Sequence, residues 1–160
     1  MDDANDPHLP IRPTLDLLDE VLDVAGLEND AGAQAALALG FCDRLGDRLD
    51  ADQRAAVDAA RCYWSRQDRT GRHRWHAVYA SRLVQQRHVL SPVDRLVWCS
   101  LVDNTGLTGS TGEFLVLEAL DAGLGLDDVE AVLCGSVPGF AAARVPAEGG
   151  RIVGPGLRVV

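Results

Sequence analysis

Lysine is absent from this chain: all 15 basic side chains of its 160 residues are arginine. That excludes a P-loop, whose G-x-x-x-x-G-K-[ST] motif uses a lysine to reach the phosphates. Arginine at every basic position, beside abundant alanine, glycine and leucine, reads as GC-rich coding of a bacterial or phage kind. The same bias weakens any argument that a particular arginine was selected for bidentate recognition. No C-x-x-C pair exists either, since Cys42, Cys62, Cys99 and Cys134 lie 20, 37 and 35 positions apart. Each falls in an apolar, helical-looking stretch, so free buried thiols in a reducing compartment are expected rather than disulfides.

No apolar run approaches the roughly 18 residues of a membrane-spanning helix. The opening "MDDANDPHLPIRP" is acidic and proline-rich, without the basic start and apolar run of a signal peptide. A soluble, cytoplasmic protein with no membrane partner is the expectation. Catalytic signatures are missing too. There is no G-x-S-x-G, no H-E-x-x-H, and no cysteine with a histidine at a recognisable family spacing. No catalytic residue and no cofactor is assigned.

Helix punctuation, by contrast, is abundant. Thr14 opens "TLDLLDEVLDVAG", in which Leu15, Leu18, Val21, Leu22 and Ala25 share one face and Asp16, Asp19, Glu20 and Asp23 another; Gly26 is the stop. A second helix is expected from Asn29 or Asp30 to about Leu49, through Leu37, Phe41, Cys42 and Leu45. Asp50 with Gln53 forms a capping box for a third, whose Ala56, Val57, Ala60, Tyr63 and Trp64 line one side. Asp68 to Gly71 reads as a turn before a fourth helix, Arg72 to His88, whose Trp75, Tyr79 and Leu83 are expected in the core against the third.

Ser91-Pro92 starts a fifth helix. Ser110 with Glu113 caps a sixth that stops at Gly123, and Asp127 with Glu130 caps a last short one to about Leu133. Helix signals follow one another with no strand between them. The fold class is therefore all-α, a single-domain bundle of six or seven helices over residues 1–134, with residues 1–13 expected to be flexible. Residues 135–160 hold six glycines and three prolines and read as a C-terminal extension. Its "RIV-GPG-LRVV" suits either a small β-hairpin or a tail that orders on a partner.

Charge is unevenly placed. Residues 1–53 carry 3 arginines against 13 acids, residues 54–95 carry 9 against 3, and residues 96–160 carry 3 against 8. The basic stretch "WSRQDRTGRHRWH" suggests an anion or nucleic-acid site through Arg66, Arg69, Arg72 and Arg74. Internal pairing with the flanking acids explains it more simply, because a net charge of −9 repels polyanions. His73 and His76 are spaced i, i+3, yet nothing nearby completes a metal shell, so no metal is assigned. The glycines of "DNTGLTGSTGE" lead into a helix N-terminus, where a plain interhelical connection accounts for them as well as an anion site does.

By elimination, the expected role is protein interaction. A small acidic inhibitor, immunity-type or adaptor protein would meet a basic macromolecular partner through Asp16, Asp19, Glu20 and Asp23. Anion or nucleic-acid binding through residues 54–95 is the alternative, and a helical enzyme without a legible motif the third.

Overall fold

Asp50 sets the start of the third helix by reciprocal contacts. Its carboxylate accepts from the Gln53 amide at 2.7 Å, and its own N–H donates to Gln53 Oε1 at 2.9 Å. Ser91 caps the fifth helix by a single contact, its hydroxyl accepting from Asp94 N at 3.1 Å, with Pro92 in the first turn. Gly26 ends the first helix in the left-handed conformation, φ 64°, as its position predicts. The computed structural model describes residues 9–85, 90–103 and 106–149, and every regular element among them is helical.

In chain order these are α1 (Arg12–Ala25), α2 (Ala33–Leu45), α3 (Ala51–Arg66), α4 (Arg69–Gln85), α5 (Pro92–Leu101), α6 (Gly109–Asp121), α7 (Leu126–Ser136) and α8 (Phe140–Gly149). Short 3-10 turns occupy Leu9–Ile11, Leu27–Asn29 and Gly46–Arg48.

Eight α-helices among the described residues correct the expected six or seven. The additional one, α8, lies in the segment read as an extension, and its first residue Phe140 is 1% exposed. A buried aromatic anchors this stretch to the bundle despite its glycine content. The "RIV-GPG-LRVV" segment falls outside the described residues.

Other boundaries shift for local reasons. Gln67 takes a left-handed φ of 60°, so the chain reverses early and the expected turn residues Arg69 to Gly71 become the first turn of α4. Thr108, not Ser110, caps α6, its hydroxyl accepting from Thr111 N at 3.2 Å. Thr14 sits inside α1 rather than at its start, and its hydroxyl donates to Glu130 Oε2 of α7 at 3.3 Å.

At the centre lies α2. Leu37, Ala38, Phe41, Cys42 and Leu45 are all buried, as are Gln34 and Ala35, so little of this helix faces water. It packs on α5, α6 and α7, while α1 rests on α6 and α8, and α3 on α4 and α5. Gly40 permits the close approach of α7: a Cβ there would meet Val132 Cγ1 at 2.8 Å and Ser136 Oγ at 2.9 Å.

Only part of the expected α4 core face is internal. Tyr79 is fully buried and donates its hydroxyl to Asp94 Oδ1 at 3.1 Å, but Trp75 and Leu83 are half-buried. The reason is that α4 lies against α3 and α5 at the margin of the bundle, with no further helix on its outer side among the described residues. The four cysteines are free. Burial pushes the thiols of Cys42 and Cys99 up to about 12, whereas Cys62 is exposed, contrary to expectation. Among the described residues no helix is long and apolar enough to cross a membrane.

Candidate functional site

The arginine-rich stretch is partly consumed by the fold. Arg72 is 9% exposed. Its Nε donates to the Leu101 carbonyl at 2.8 Å, and its Nη2 lies 3.0 Å from Asp103 Oδ1. The guanidinium carbon also stands 4.6 Å from the centre of the Tyr63 ring, and the Tyr63 hydroxyl donates to Asp103 Oδ2 at 2.8 Å. Trp64 Nε1 donates to the Ser100 carbonyl at 3.0 Å. These bonds satisfy two carbonyls at the end of α5 that no helical N–H reaches. They also lock the α3–α4 corner against that end. The Tyr63 hydrogen bond, then the Arg72 charge, hold the Asp103 carboxyl below its ordinary value, and the Tyr63 phenol is raised by the same bond.

Three more arginines of the basic segment meet acids elsewhere in the bundle. Arg61 lies 2.6 Å from Asp43 Oδ1, Arg82 lies 3.0 Å from Asp52 Oδ2, and Arg95 pairs with Glu118. Arg74 rests over the Trp75 ring at 5.5 Å. Arg66 and Arg69 are exposed and make no ion pair among the described residues. The four arginines of the expected anion site therefore divide into one internal structural group, one on a tryptophan face, and two in solvent.

The histidine pair also divides. His76 is half-buried against Trp98, ring centres 4.8 Å apart, and burial followed by the Arg72 charge lowers its pKa; His73 is exposed. No group of three or more His, Cys, Asp or Glu side chains among the described residues is placed to hold a metal ion. The acids near the glycine loop are likewise separated: Asp103 binds Arg72, Glu118 binds Arg95, and Glu113 lies 4.0 Å from Arg12. The loop itself is a packing device. Leu107 N donates to the Leu27 carbonyl at 2.9 Å, and a Cβ on Gly106 would run into the backbone of Leu27 and Glu28. Asp19, Asp23 and Glu28 line the small cavity beside Thr108 and Gly109, an environment that repels anions.

On α1 the sequence pattern is realised as surface. Asp16, Asp19, Glu20 and Asp23 are all exposed, while Leu15, Leu18 and Leu22 are buried on the opposite side. None of the four acids makes an ion pair among the described residues, because the internal arginines are taken by Asp43, Asp52, Asp103 and Glu118. Beside this acidic row runs an apolar one. Leu17, Val21 and Val24, spaced i, i+4, i+7, form one wall of a groove of about 300 Å³ whose other wall is Pro138, Gly139 and Ala143. Glu20 stands among these lining residues, and Val24 is 89% exposed.

Sequence reasoning found the acids and missed the groove. Its second wall belongs to the segment read as an extension; the signal that was available is "FAAAR", a helix-forming run directly after Gly139. The chain matches no protein family, no curated protein and no solved structure.

Proposed function

We propose that the protein is an interaction module of inhibitor, immunity or adaptor type that binds a basic macromolecular partner through α1. The observation that carries this reading is the pairing of a row of unengaged carboxylates with an adjoining apolar groove. Four like charges on one helix face repel one another, and none forms an ion pair among the described residues. They are useful where an opposing positive surface arrives. Such a charge row accelerates encounter, and an apolar contact beside it supplies the affinity that rim charges do not. A nuclease or another nucleic-acid-binding protein has the complementary surface. The arginine-only, alanine-rich composition favours a bacterial or phage source, and the four free cysteines favour a reducing, cytoplasmic setting.

The test begins by capturing partners from host extract with the wild-type chain and with a variant carrying Asp16→Arg, Asp19→Arg, Glu20→Arg and Asp23→Arg. The reading expects a basic protein retained by the first and lost by the second. With the purified pair, association should slow strongly between low and physiological salt, the Debye length shrinking to about 8 Å at the latter. Retention of the same partner by both proteins would overturn it. Loss of that partner on Arg66→Ala with Arg69→Ala, but not on reversal of the α1 acids, would move the role to the basic corner.

A further inference from the structure

A second concavity, separate from the α1 groove, opens over α5 between α4 and α6. Its volume is about 550 Å³, within the range of roughly 300–1,000 Å³ typical of small-molecule sites. Leu83, Leu90, Trp98, Val102 and Phe114 supply apolar walls, and Phe114 is left 44% exposed. An aromatic at a cavity mouth costs free energy unless something covers it.

The polar side chains of the wall are few: Gln34, Ser110 and Thr111, which are neutral, and Arg95. Arg95 is the one charged side chain among the described lining residues, and none of those residues is a carboxylate. Its Nε donates to Glu118, which is 8% exposed, and its Nη1 donates to the Leu90 carbonyl. Two anchors fix the guanidinium in place and leave its Nη2 donors with no acceptor among the described residues. Ser110 and Trp98 line the same space. An apolar body with one cation in its wall suits a ligand that is apolar along its length and anionic at its end.

We infer that this cavity binds a small amphipathic carboxylate, its hydrocarbon part against Trp98 and Phe114 and its head group at Arg95. Arg95 is held rigid before binding, so little side-chain freedom is lost when the carboxylate arrives. The remaining Nη2 donors of a permanently charged guanidinium suit an anionic oxygen acceptor.

Calorimetric titration of the full chain with decanoate, decanol and decylamine at sub-millimolar concentration tests this. The expected result is saturable one-to-one binding of decanoate, about tenfold tighter than decanol, with decylamine weakest. Phe114→Ala, at a half-exposed site that tolerates truncation, should weaken decanoate severalfold while leaving the melting temperature nearly unchanged. The double variant Arg95→Gln with Glu118→Gln removes both charges and leaves neither buried alone. It should bind decanol as the wild type does and lose the preference for decanoate. No saturable binding of decanoate, equal binding of decylamine, or binding indifferent to both variants would each overturn the proposal.

Discussion

Arg72 on α4 and Asp103 after α5 are joined at 3.0 Å, with Tyr63 donating to the second oxygen of the same carboxylate at 2.8 Å. The densest arginine stretch of an acidic chain thus turns one of its cations inward, where it closes the end of a helix. A positive charge buried to this depth is costly to leave unpaired.

Arg72→Ala should therefore destabilise the protein by about 2–4 kcal/mol, since it removes the ion pair to Asp103 and the buried donor to the Leu101 carbonyl. Arg66→Ala and Arg69→Ala, made at exposed and unpaired positions, should each stay within about 0.5 kcal/mol. Urea denaturation of the three variants checks both figures. Equal losses at all three sites would remove the distinction.

The pH dependence follows from the same residues. Asp103 titrates below its unfolded value of about 3.9, so its contribution is complete above that pH and is lost as pH falls through the folded value. His76, also lowered, favours the neutral imidazole: its contribution is full above about 6.5 and declines as pH drops. Tyr63 and Tyr79 are raised, so what they contribute is present below about pH 10 and lost above it. Cys42 and Cys99 are raised as well, to about 12, and their contribution begins to fall once unfolded thiols ionise, above about pH 8.5. Stability should be greatest between neutrality and about that pH, with a two-stage decline in acid. In Asp103→Asn the lower acid stage should flatten while the upper one persists.

Tyr79 and Trp75 stand one helical turn apart and differ in burial. Truncating fully buried Tyr79 to alanine should cost about 3–5 kcal/mol. Half-buried Trp75→Ala should cost about half as much, with Arg74 losing the ring it rests on. Paired denaturation curves decide this, and a larger loss at Trp75 would contradict the burial described for α4.

Gly106→Ala places a methyl group against the fixed backbone of Leu27 and Glu28 and should cost about 3 kcal/mol or more. Gly109→Ala meets the carboxylate of Asp19, the movable end of an exposed side chain, and should be far milder. Thermal melts of the two variants should differ clearly, and similar melts would mean that the loop yields.

The helices α1, α3, α5 and α6 were legible in the chain because periodicity and capping act over a few residues, and Asp50, Ser91 and Gly26 exert their effects locally. The acidic face of α1 was legible for the same reason. Three things were decided only when distant segments met. Gln67 adopts a left-handed φ without being glycine, so no local signal moved the start of α4 to Arg69. Phe140 gives α8 a place in the bundle, and a helix this short is held by burial more than by propensity. The division of the arginines was decided in three dimensions as well. Arg72 and Arg66 are equivalent in composition, and only the arrival of Asp103 and the Leu101 carbonyl beside one of them makes it structural, since ion pairing depends on distance in space and not on distance along the chain.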